Sequence, residues 1–181
     1  MEQKRKSPWR EWIETLVIAF ILAMAVRAFV MAAFKIPTGS MIPTLMVGDK
    51  IFVNKFIYRF TEPKRGDIIV FKSPEDLKKD FVKRLIGLEG ETIEISNGRI
   101  IVNGKPIVEL DGTGKEIVYY NRGAYGAEGK TIKVPANSYF ALGDNSNNSR
   151  DSREWGFVPK KYMIGKAFLI WWPPNRIKVL K

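Results

Sequence analysis

Residues 92–104 read Thr92-Ile93-Glu94-Ile95-Ser96-Asn97-Gly98-Arg99-Ile100-Ile101-Val102-Asn103-Gly104. Thr92 to Ser96 alternates polar and apolar side chains with period two, the pattern of a strand with one buried face. Asn97-Gly98 and Asn103-Gly104 are two-residue hairpin signals, because tight hairpin turns need positive φ at both central positions. They flank the short run Arg99 to Val102, so this stretch reads as an antiparallel meander.

The same texture extends outward. Lys50 to Phe60, Asp67 to Phe71 and Asp80 to Leu88 read as strands upstream, and Ile117 to Tyr120, Thr131 to Val134, Tyr139 to Leu142 and Met163 to Trp172 downstream. All are rich in Val, Ile, Phe or Tyr and are bounded by turn residues. No amphipathic helix pattern interrupts them. The expected body over 35–181 is therefore mainly β and antiparallel. The glycine-bearing stretch 112–130 reads as a loop or small excursion, and its fragments complete no phosphate-cradling motif.

With 181 residues, 45% of them hydrophobic, the chain suits one ordinary domain and is not disordered. Its net charge of +11 is spread along the sequence, which disfavours a dedicated nucleic-acid surface.

Leu16 to Val26 is uninterrupted apolar, and Ala28 to Phe34 continues the run beyond Arg27. As one helix it spans roughly 28 Å, close to a hydrocarbon core. Arg27 sits in the outer part, where a long side chain reaches the interface. Lys4, Arg5, Lys6 and Arg10 precede the run with Trp9 and Trp12, so the positive-inside tendency places 1–14 in the cytoplasm, 15–34 in the inner (cytoplasmic) membrane as a single pass, and the body outside. A cleavable signal peptide is the competing reading; the length of the run and its direct continuation into Ser40 favour a retained anchor.

The chain has no histidine and no cysteine, which excludes Ser-His-Asp triads, Cys-His pairs and His- or Cys-ligated zinc. Ser40 lies in Pro37-Thr38-Gly39-Ser40-Met41-Ile42-Pro43-Thr44-Leu45, either a plain turn or a nucleophile whose base is chiefly a lysine held neutral. Asp80-Phe81-Val82-Lys83-Arg84-Leu85-Ile86-Gly87 supplies such a lysine. On a strand, Lys83 shares its face with Phe81 and Leu85, an apolar setting that lowers a lysine pKa. A surface lysine beside a surface arginine is the plain alternative.

The third element is Gly143-Asp144-Asn145-Ser146-Asn147-Asn148-Ser149-Arg150-Asp151-Ser152-Arg153-Glu154-Trp155-Gly156-Phe157-Val158-Pro159. A serine box after an apolar anchor, a Lys-Arg strand and this Gly-Asp-Asn box, in that order, resemble the type I signal peptidases. The resemblance implies Ser40 as nucleophile and neutral Lys83 as base. It implies that Ser149 orients the lysine, that Asp151 pairs with Arg153, that Asp144 supports the box, and that Thr38 with the Ser40 N–H forms an oxyanion hole. Ile36, Met41, Phe81 and Val82 are the candidates to line two shallow pockets. The family often has Leu-Pro-Gly-Asp where this chain has Leu88-Glu89-Gly90-Glu91. The implied fold is an antiparallel β catalytic domain with a small inserted β subdomain around 98–132, and no metal or organic cofactor is implied. The implied partners are preprotein signal peptides, cut after small-x-small motifs, and membrane lipids. The alternatives are a Ser-Lys peptidase dedicated to one exported protein and a non-catalytic membrane-tethered β module.

Overall fold

The computed structural model describes residues 8–25, 31–107, 110 and 117–180. A helix, α1 (Pro8–Ala25), leads into strands β1 (Met31–Lys35), β2 (Lys50–Asn54), β3 (Ile68–Lys72) and β4 (Asp80–Gly87). Next come β5 (Thr92–Ser96), β6 (Arg99–Val102), β7 (Lys105–Pro106), β8 (Ile132–Lys133) and β9 (Ser138–Leu142). A short helix α2 (Ser152–Trp155) precedes β10 (Val158–Pro159), β11 (Met163–Trp172) and β12 (Lys178–Val179). The main sheet runs β1-β2-β11-β3-β4-β9-β10 with β12 on β11, and a second sheet runs β7-β6-β5-β8. Every pairing is antiparallel.

The hairpin signals act as the sequence suggests. Asn97, Gly98, Asn103 and Gly104 all have positive φ, between 50° and 77°. The second sheet also draws in β5, upstream of residue 98. Three apolar clusters fill the body. Ile68 and Val70 of β3 point into one, with Ile36, Met41, Leu45 and Leu180. Ile69 and Phe71 point to the opposite face, with Leu85 and Ala141. The third, built on Ile86, Ile93, Phe140 and Leu142, joins the two sheets.

Three expectations are corrected. The apolar run of 15–34 is not one helix: β1 pairs with β2 in continuous register from Met31↔Asn54 to Lys35↔Lys50, so its last residues belong to the sheet. Arg27 lies outside the described residues, and no helix among them is long and apolar enough to cross a membrane. The strand expected over Lys50 to Phe60 stops at Asn54, whose side-chain oxygen accepts from Phe56 N and Ile57 N and turns the chain into a 3₁₀ turn at Ile57–Arg59. Ile117 to Tyr120 forms no strand. There Tyr119 N donates to Gly98 O, and Tyr120 N to the Ser146 hydroxyl.

Candidate active site

The segment between β1 and β2 closes on itself. Ile36 N donates to Asp49 O and Gly48 N to Ile36 O, each at 2.8 Å, while Leu45 N reaches Met41 O at 2.8 Å. Met41 and Leu45 sink into the core, which leaves Ser40 half-buried at its lip. Asn145 fastens the segment from outside: its side-chain amide donates to Gly39 O at 2.9 Å and its backbone N to Ser40 O at 3.1 Å.

Opposite stands Lys83 of β4, only 4% exposed, with Nζ 2.7 Å from Ser40 Oγ and 5.5 Å from the centre of the Phe81 ring. Burial is the main force on its pKa, lowering it from 10.5 to about 8. Asp151 and Asp144 pull it up from a distance, and Arg153 pushes it down. Among the described residues no carboxylate forms an ion pair with it.

Two buried ion pairs frame this amine. Arg84, the next residue on β4, points to the other face, where it holds Asp144 through two bonds of 2.8 and 2.6 Å. The Thr44 hydroxyl also donates to Asp144, at 2.5 Å. Asp151 takes two bonds from Arg153 at 2.8 and 2.7 Å, accepts Gly143 N, and caps α2 by accepting Arg153 N. Arg153 reaches on to Tyr120 O and to Ser146. Gly143 is required where it stands, since a Cβ there would strike the Ser149 hydroxyl and come within 2.5 Å of Ser40 O.

Ser149 is buried, and among the described residues its hydroxyl has no hydrogen-bond partner. Thr38 is exposed, and among the described residues neither its hydroxyl nor the Ser40 N–H donates a hydrogen bond. The pocket candidates fall into two groups: Ile36 and Met41 are buried in one cluster with Val82 packed against it, while Phe81 packs on the opposite face. The Leu88-Glu89-Gly90-Glu91 turn is closed by Glu91, which accepts from Leu88 N and Arg65. Glu154 pairs with Arg122.

Asn145, Thr44 and Arg84 carry roles that pattern reading assigns to no one residue. Asn145 stands in the Gly-Asp-Asn box, so its position was visible, but its partner lies 106 residues away. The glycine-bearing loop is also structural, because a Cβ on Gly123 or Gly126 would collide with Arg153.

The match of residues 9–172 to the family model for signal peptidase, peptidase S26, decides the assignment. The chain belongs to the S26 signal peptidases. It is 42% identical to a signal peptidase I of Leptolyngbya laminosa, over 97% of this chain and 86% of that protein. It is 40% identical to signal peptidase I P of Bacillus subtilis subsp. natto, over 99% and 98%. The crystal structure of a signal peptidase I from Enterococcus faecalis V583 shares 32% identity, covers 59% of this chain and 97% of its own, and has a TM-score of 0.47. As an S26 signal peptidase the protein is a serine endopeptidase.

Proposed function

We propose that this protein is a membrane-anchored signal peptidase in which Ser40 is the nucleophile and neutral Lys83 the general base. The contact that carries the reading is the 2.7 Å separation of Ser40 Oγ from a buried lysine amine whose pKa falls to about 8. About one-tenth of that amine is neutral at pH 7, against less than a thousandth for an ordinary lysine.

In the reaction, Lys83 takes the Ser40 proton as Oγ attacks the scissile carbonyl, forming a tetrahedral intermediate. The Ser40 N–H and the Thr38 hydroxyl, both without acceptors among the described residues, stabilise its oxyanion. The lysine then returns the proton to the leaving amine as the C–N bond breaks. Water, deprotonated by the same amine, hydrolyses the acyl-enzyme and restores Ser40. The Ser149 hydroxyl, buried with no hydrogen-bond partner among the described residues, is left free to turn to Nζ and orient it as the substrate binds. An extended substrate points the residues one and three before the scissile bond the same way, and shallow pockets backed by Ile36, Met41 and Val82 on one side and by Phe81 on the other hold both to small side chains.

Membrane attachment is supported by α1, whose Leu16, Val17, Ile18, Phe20, Ile21 and Leu22 are all exposed. With Lys4, Arg5, Lys6 and Arg10 ahead of them, the N-terminus lies in the cytoplasm and the β body outside. The test is a model preprotein with an Ala-x-Ala site: the wild-type protein cuts it there, and Ser40→Ala does not. Cleavage that survives Ser40→Ala contradicts the reading.

A further inference from the structure

The family match stops at Trp172, yet the tail beyond it returns to the serine segment. Arg176 grips Asp49 with Nε to Oδ1 at 2.8 Å and a terminal nitrogen to Oδ2 at 2.9 Å. Asp49 is 1% exposed and works as a joint: its side chain accepts Met46 N, and its backbone oxygen accepts Ile36 N. Arg176 therefore reaches Ile36 through a single residue. Leu180, 5% exposed, adds a second fastening by packing into the cluster that holds Ile36, Met41 and Leu45. Its own N donates to Phe168 O at 2.9 Å, which ties the tail to β11.

We propose that residues 173–180 are a specificity strap, in which Arg176 and Leu180 fix Ile36 and Met41, the buried layer that backs the pocket wall beside Ser40, and so limit the size of the substrate side chain accepted. They are positioning residues and touch no reacting atom. The strap rests on the peptidase reading above. Close-packed interiors transmit small displacements, so a void at Leu180 or a loosened Asp49 lets the wall recede. Rejection of an oversized aliphatic group depends on that wall staying still.

The test uses the full chain and peptides with Ala or Leu at the third residue before the scissile bond. In Leu180→Ala the kcat/KM ratio of Leu to Ala substrate is expected to rise about tenfold. Arg176→Lys, which keeps the charge but loses the two-pronged grip, moves the ratio in the same direction and decides the matter if Leu180→Ala fails to fold. A ratio, unlike total activity, does not change with the folded fraction. An unchanged ratio with a lowered Tm overturns the strap and leaves the tail as packing alone. Ser40-dependent cleavage of the Ala peptide with a flat ratio removes only the strap; no cleavage of it by the wild type removes the peptidase reading and the strap together.

Discussion

Lys83 and Arg84 are adjacent on one strand, equally cationic and almost equally buried, yet the protein treats them in opposite ways. Arg84 meets Asp144 in a two-bond ion pair and is further bonded to Gly66 O, so its charge is compensated inside the protein. Lys83 faces Ser40 and an aromatic ring instead, and its charge is left to burial. One strand thus carries a fixed charge on one face and an amine with a lowered pKa on the other. The difference teaches that burial lowers the pKa of a cationic side chain where no carboxylate pairs with it.

The largest expected effect breaks the reactive side. Ser40→Ala and Lys83→Ala each lower kcat by on the order of 10⁴-fold or more, and the double variant is little worse, because the two groups act as a unit. Single-turnover cleavage of a model preprotein measures it, and multiplicative losses contradict the pairing. Thr38→Val keeps the shape but removes a donor, and lowers kcat by roughly 10²- to 10³-fold with little change in KM. An unchanged kcat removes Thr38 from the oxyanion hole.

On the compensated side, Arg84→Ala strands the Asp144 carboxylate and costs about 3–5 kcal/mol of stability in a denaturant titration. Its activity loss follows the folded fraction.

The smallest effect has the opposite sign. Lys83 is depressed in the folded protein, so below about pH 8 the folded state holds a proton at a cost that the unfolded chain does not bear. That cost fades as pH rises from about 8 towards 10.5, where the unfolded lysine also loses its proton. Lys83→Met therefore raises stability at pH 7, by at most about 3 kcal/mol, and the gain shrinks at alkaline pH. A lower Tm at pH 7 contradicts the assignment of the cost to this amine.

Much of this arrangement was legible in advance because its signals are local. β5 and β6 have the bounds their alternation and hairpin turns indicate, since Asn-Gly fixes both turn and register. The Ser40 and Lys83 elements were legible as residue types: a chain without histidine has few other bases. The rest depended on distant partners. Asn54 ends β2 through a side-chain bond that competes with the ladder, and nothing in the β-like run past it signals that. Met31–Lys35 is apolar enough to continue a helix, and becomes a strand only because β2 offers five residues in register. Arg84 reads as a surface cation until Asp144, 60 residues away, is placed beside it.

The central claim is that the lysine beside Ser40 works as a neutral base, and the pH dependence of kcat/KM for preprotein cleavage tests it most directly. The base is competent only when deprotonated, so kcat/KM is expected to rise with pH through an apparent pKa near 8 and to hold on the alkaline side. A profile with an acidic optimum that falls above neutrality assigns the proton transfer to a carboxylate and contradicts the account.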